Sequence, residues 1–173
     1  MANIHHNKKH GVDSASDHNG VSGATQGNIM QFNTNGLPED SALAVSKVNS
    51  AVKGEIVVTF DGGGSALTTG TKKVYLRMPH AGNITKATLL ADLSGSLVID
   101  IWKDTYTNFP PTDLDSVTAS APPTLTSAQK SEDSTLTGWT KTFSAGDIFE
   151  FNIDSAATIT KAVLTLDYDK TGV

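Results

Sequence analysis

Four aspartates crowd one short stretch of this chain: Asp100, Asp104, Asp113 and Asp115. Carboxylates so placed offer oxygen ligands for calcium, or a general acid and base on either side of a glycosidic bond. The stretch lacks the Asp-x-Asp-x-Asp-Gly pattern of a calcium loop, and solvent-facing acids bordering a strand explain it more simply. His5, His6, His10 and His18 offer imidazoles to a transition metal. Their spacing fits no ordered site and suits a solvated polar segment, with a metal shared symmetrically by several chains as the other reading. His80 stands alone beside Pro79 and reads as a loop residue. Gly62-Gly63-Gly64 lacks the lysine and the following helix of a phosphate loop, and no Gly-x-Ser-x-Gly elbow occurs. No catalytic residue, no metal site and no cofactor is therefore assigned, and the chain is read as a non-enzyme. The residue types best suited to touching a ligand are Trp102, Tyr106, Phe109 and Trp139. If exposed, such rings stack on sugars or anchor protein interfaces; packing in a core or loop is the competing use.

The elements that must position these rings read as strands. Leu97, Ile99 and Ile101 alternate with Val98, Asp100 and Trp102, the period of two that sends side chains to opposite faces. Pro110 and Pro111 end that strand, because proline donates no ladder hydrogen bond and restricts the residue before it. The ring-bearing segment is thus a proline-pinned loop after a strand. Further strands are expected near Glu55–Phe60, Lys73–Met78, Ile84–Ala91, Ser96–Lys103, Thr135–Phe143, Ile148–Ile153 and Ile159–Tyr168, with one helical turn possible over Thr126–Asp133. Seven or eight strands imply two packed sheets, an all-β antiparallel sandwich. Asp61 to Ser65 is a flexible glycine loop, and Ser144-Ala145-Gly146-Asp147 a turn. The run from Ile84 to Asp92 matches that from Ile159 to Asp167 at six of nine positions. One such pair is no repeat array, and convergence of two amphipathic strands explains it slightly better than related strands in equivalent places.

Composition splits the chain near Lys53. Of its aromatic residues only Phe32 precedes that point, so residues 53–173 must hold the core. Residues 1–52 are rich in His, Asn, Gly and Ser, with small apolar islands that cannot offset ordering entropy alone. They read as an extended N-terminal arm, either a loose tail or a docking segment. The regular recurrence of the islands favours docking through Ile29, Met30, Phe32, Leu43 and Val45. A short helix over Ser41–Asn49 fits as well as a strand there. Zero cysteines exclude disulfides and thiolate chemistry, and they leave the redox compartment open. A net charge of −5, with Arg77 the sole arginine, gives no patch able to neutralise phosphates, so nucleic acid is not an expected partner. The polar Met1–Gly11 stretch is unlike a signal peptide, and no segment approaches the roughly 18 apolar residues of a spanning helix. Membrane insertion is not expected.

Four stretches taken together carry a resemblance: Phe60 to Ser65, Leu89 to Asp104, Pro122 to Lys130, and Ser144 to Asp147. Over roughly residues 54–169 the chain resembles a module of virion proteins of tailed bacteriophages. The segment Gly27 to Gly36 leading to Asp40-Ser41 is similar to the short extended pieces that precede such modules in phage fibres. The resemblance implies a non-enzymatic structural part of the particle surface, often trimeric, with a jelly-roll-like sandwich, and it carries over no catalytic residues. A long host-reaching fibre usually needs a shaft, and a 52-residue arm before one compact domain is expected to suit a small decoration protein or short fibre better. It suits a capsid decoration or head-fibre protein whose arm grips the major capsid protein or another virion scaffold. The alternative is a tail-fibre or receptor-binding module that contacts a host-surface glycan through its aromatic loop.

Overall fold

The computed structural model describes residues 52–71 and 74–171 in full, and the backbone of residues 28–32 and 38–44. The chain divides into two compact units, Met1–Ala51 and Val52–Val173. In the first, β1 (Asn28–Phe32) pairs antiparallel with β2 (Pro38–Ala44), with Met30 opposite Asp40 and Phe32 opposite Pro38. Residues 41–44, where a helix fitted the sequence as well as a strand, are strand; residues 45–49 lie outside the described residues.

The second unit is all-β and antiparallel, one eight-stranded sheet that curls on itself. Its strands are β3 (Lys53–Asp61), β4 (Gly70–Thr71), β5 (Leu76–Arg77), β6 (Ala81–Asp104), β7 (Thr124–Asp133), β8 (Thr142–Phe143), β9 (Ile148–Ala157) and β10 (Lys161–Thr171). The organising element is β6, 24 residues long. Along one of its sides lie β9, opposite Ser96–Asp104, and then β10, opposite Ala81–Ala91, in almost unbroken register. Beyond β10 and β9 run β3 and then β4 and β5; along the other side of β6 run β7 and β8. The domain is therefore four long antiparallel ribbons side by side, and all four bend at mid-length.

The bend falls where the sequence can turn. Gly63 and Gly64 have φ of 64° and 88°, and Ser127 and Thr158 stand at 48° and 67°, in the left-handed region. At Gly95 a side chain has no room: a Cβ there would lie 2.4 Å from the Ala157 carbonyl oxygen. Hydrogen bonds stitch the ribbons along this crease. Gly62 N donates to Thr160 O and Leu67 N to Ile159 O, both at 2.8 Å, while Ser94 Oγ donates to Ser127 O at 3.0 Å. Three of the four stretches singled out in the sequence, Phe60 to Ser65, Leu89 to Asp104 and Pro122 to Lys130, cross or flank the crease.

Inside the curl, alternation delivers one apolar face. Ile56, Val58 and Phe60 of β3, Leu164 and Leu166 of β10, Leu97, Ile99 and Ile101 of β6, and Phe149, Phe151 and Ile153 of β9 are all buried. Edge-to-face rings join the two halves, Phe60 meeting Phe151 at 6.4 Å between centroids and Phe143 meeting Phe149 at 5.6 Å, and Phe143 also packs on Tyr168 of its own half at 5.1 Å. Each large side chain so buried contributes about 1.5–3 kcal/mol. A register shift opposite Asp167 and Tyr168 lets both Ile84 and Ala87 face inward.

Three expectations are corrected. The strands expected at Ile84–Ala91 and Ser96–Lys103 are one strand, β6, which runs on through Gly95 although its pairing shifts register there. Thr126–Asp133 is strand β7 and not a helical turn, since the open side of β6 supplies a ladder for its backbone. Of Thr135–Phe143 only Thr142–Phe143 is strand; Leu136 and Gly138 have positive φ, and Leu136 and Trp139 reach the core from an irregular loop. The two echoing segments turn out to be neighbours, paired antiparallel in β6 and β10.

Candidate functional site

The loop after β6 does present rings to solvent, in company the sequence did not indicate. Across the outer face at this end, Trp102 lies opposite Glu150 on one side and bridges to Ser116 on the other. Because Leu76 pairs with Phe149, Tyr75 falls one step along, beside Glu150. Tyr75 and Phe109 pack edge to face with centroids 4.7 Å apart. Tyr106 is 74% exposed, Phe109 47%, Tyr75 41% and Leu114 91%, so four apolar or aromatic side chains on or beside this loop face solvent. Burial and the buried Glu150, which accepts a hydrogen bond from the Tyr75 phenol, push that phenol above its ordinary 10.0.

Trp102 is held in place by Asp100. Its indole Nε1 donates to Asp100 Oδ2 at 2.7 Å, while Ile101 N (2.7 Å), Ser116 Oγ (2.8 Å) and Thr118 Oγ1 donate to Oδ1. A carboxylate receiving four donors orients the ring and ties β6 to the segment after the loop. Asp104 accepts from Thr105 N at 2.6 Å and Asn108 Nδ2 at 3.2 Å, which folds the 3-10 turn Tyr106–Asn108 and holds the Asp104 carboxyl below its ordinary 3.8. Asp115 closes a capping box with Thr112 at the turn Asp113–Asp115. Three of the four aspartates thus build the loop that carries the rings. Among the described residues no group of His and acids is arranged to hold a metal.

Two sequence-level candidates fall elsewhere. Trp139 is 8% exposed and donates from Nε1 to the Ala121 carbonyl at 2.8 Å, so it is a core residue and no part of the exposed cluster. In place of the strand expected over Thr135–Phe143, the loop turns at Leu136 and Gly138 and drives the indole inward. In the glycine loop Asp61 accepts from Gly63 N (2.9 Å) and pairs with Lys161 (3.0 Å), so its own carboxylate fills the place of an anion. Of the arm residues, Ile29, Met30 and Phe32 lie in β1 and Leu43 in β2; Val45 and His5, His6, His10 and His18 lie outside the described residues. Tyr75, Leu114 and Glu150 were not legible as site residues. Only pairing across β9 brings Tyr75 to the loop, and nothing local marks that pairing.

No helix among the described residues is long and apolar enough to cross a membrane. Compared with protein-family models and with curated proteins, the sequence matches none.

Proposed function

We propose that this chain is a non-enzymatic structural protein of a tailed-bacteriophage particle, a capsid decoration or head-fibre protein that projects a jelly-roll-like, two-sheet β-sandwich from the particle surface. In this reading the two halves of the curled sheet act as the facing sheets, with the crease as their common border. The observation that carries it is the division of the chain at Val52. The sheet domain closes its own core with residues from Ile56 to Tyr168, and the preceding hairpin belongs to a separate sheet. Such a unit is available to bond a capsid or scaffold neighbour by strand addition, with Ile29, Met30, Phe32, Leu43 and Val45 as anchors. Three arms of a homotrimer multiply weak contacts by avidity. Deletion of residues 1–52 is expected to remove the protein from purified particles in immuno-electron microscopy; particles labelled equally well without the arm sink the reading.

A second reading rests on the exposed rings. A tail-fibre or receptor-binding module would lay Tyr106, Phe109 and Tyr75 against a host-surface glycan. Tyr106→Ala and Phe109→Ala would then abolish retention on capsular polysaccharide while leaving the thermal midpoint within a few degrees of the parent.

A further inference from the structure

The two long sides of the sheet differ in how they are finished. The β7 side follows Pro122-Pro123, has two register shifts, and carries Lys130, Glu132 and Asp133, devices that discourage edge-to-edge pairing. The β3 side has no proline and no register shift, and its charges, Lys53, Glu55 and Asp61, stand toward its two ends. Val52 O accepts from Lys170 N at 2.6 Å, and Gly62 N donates to Thr160 O at 2.8 Å, just beyond either end of β3. Since bonded positions alternate along an antiparallel pair, Gly54, Ile56, Val58 and Phe60 bond β10. Lys53, Glu55, Val57, Thr59 and Asp61 therefore turn their N–H and C=O outward. No strand among the described residues pairs there. The side chains of the same five residues are exposed on the outer face, Val57 at 58%.

We propose that β3 is a self-association edge, pairing antiparallel with β3 of a second copy about a twofold axis through Val57 to make one continuous sheet across two molecules. The charges choose this register. It sets Lys53 against Asp61 of the other copy at both ends, Glu55 against Thr59, and Val57 against Val57. Sliding by two residues one way gives up both Lys53–Asp61 pairs and sets Glu55 against Val57, and sliding by two the other way sets Glu55 against Asp61, like charges that oppose pairing. Within one molecule Lys53 already pairs with Asp169, and Asp61 with Lys161 at 3.0 Å. The dimer extends each pair into a row of alternating sign, Lys161, Asp61, then Lys53 and Asp169 of the second copy. Each of the five facing positions exchanges two backbone hydrogen bonds. A single strand pairing buries little area, so the contact is reversible and concentration-dependent.

The inference is independent of the particle reading, whose test concerns residues 1–52. The test uses the full chain, which has no cysteine. Val57→Cys is expected to give a disulfide-linked dimer under mild oxidation, because paired Cα atoms across such a ladder lie within disulfide reach. Glu55→Cys alone is expected to link poorly, and a mixture of Glu55→Cys with Thr59→Cys to link well. In analytical ultracentrifugation Val57→Lys, an exposed change that leaves the circular dichroism spectrum intact, is expected to raise the dimer dissociation constant about tenfold or more. Linking of Glu55→Cys as readily as Val57→Cys overturns the register. Association unaffected by Val57→Lys, or none up to about millimolar protein, overturns the edge itself.

Discussion

Asp100 and Asp92 show how single carboxylates are spent in this protein. Asp100 collects four donors and fixes the Trp102 ring. Asp100→Ala leaves those donors without their acceptor, among them the fully buried Thr118, and is expected to cost about 1–3 kcal/mol in urea unfolding while blue-shifting or quenching the Trp102 signal. Asp92 receives Thr160 Oγ1, Lys161 N (3.0 Å) and Thr160 N (3.2 Å), and these donors hold its carboxyl below the ordinary 3.8, the Thr160 hydroxyl foremost. A carboxyl depressed in the folded state stabilises it fully above the unfolded value, and that gain is lost as pH falls through the folded value. Asp61 and Asp104 share the direction, so the thermal midpoint is expected to fall on acidification below about pH 4, and less steeply in Asp92→Asn. At the alkaline end, Tyr75→Phe is expected to remove a phenol that titrates above its ordinary value in a spectrophotometric titration.

The crease is the decisive element. It lets β6 contribute to both halves of the curl as one strand whose register against β7 shifts on either side of Gly95, and it demands backbone contact at that glycine. A Cβ there would press on Ala157 O at 2.4 Å, Thr158 Oγ1 at 2.7 Å and Ile159 Cγ1 at 2.8 Å. Gly95→Ala is therefore expected to lower stability by about 1–3 kcal/mol in urea denaturation, the cost of forcing extra volume into a packed site. An unchanged midpoint would mean that the ribbons are not in contact there. The ring-bearing loop is the contrasting element. Phe109 and Tyr106 are largely exposed, so their replacement by alanine should cost little, whereas Trp139→Ala removes a buried indole and should cost about 3–5 kcal/mol. Sequence placed all three rings in one class, and burial separates them.

At the scale of the whole molecule the chain divides into two compact units. Among the described residues the core lies wholly in the second, so residues 52–173 made alone are expected to unfold cooperatively with a midpoint close to that of the full chain in calorimetry. A strongly lowered or broad transition would show that the first unit supports the sheet. As proposed, assembly would draw on separate surfaces: the arm for a scaffold, the β3 edge for a second copy, and the exposed rings of the loop for a glycan.

The sequence by itself determined that this is an antiparallel all-β domain with a compositionally distinct N-terminal segment. Side-chain alternation and turn residues are local signals, and Leu97, Ile99, Ile101, Phe149, Phe151 and Ile153 announced their inward face without knowledge of any partner. Only the tertiary structure decided that two expected strands are one bent β6, that Thr126–Asp133 extends along its open side, and that Tyr75 and not Trp139 joins Phe109. A period of two reports which face a residue takes, and says nothing of which strand will lie beside it. Pairing between segments far apart in the chain is settled by the joint burial of both.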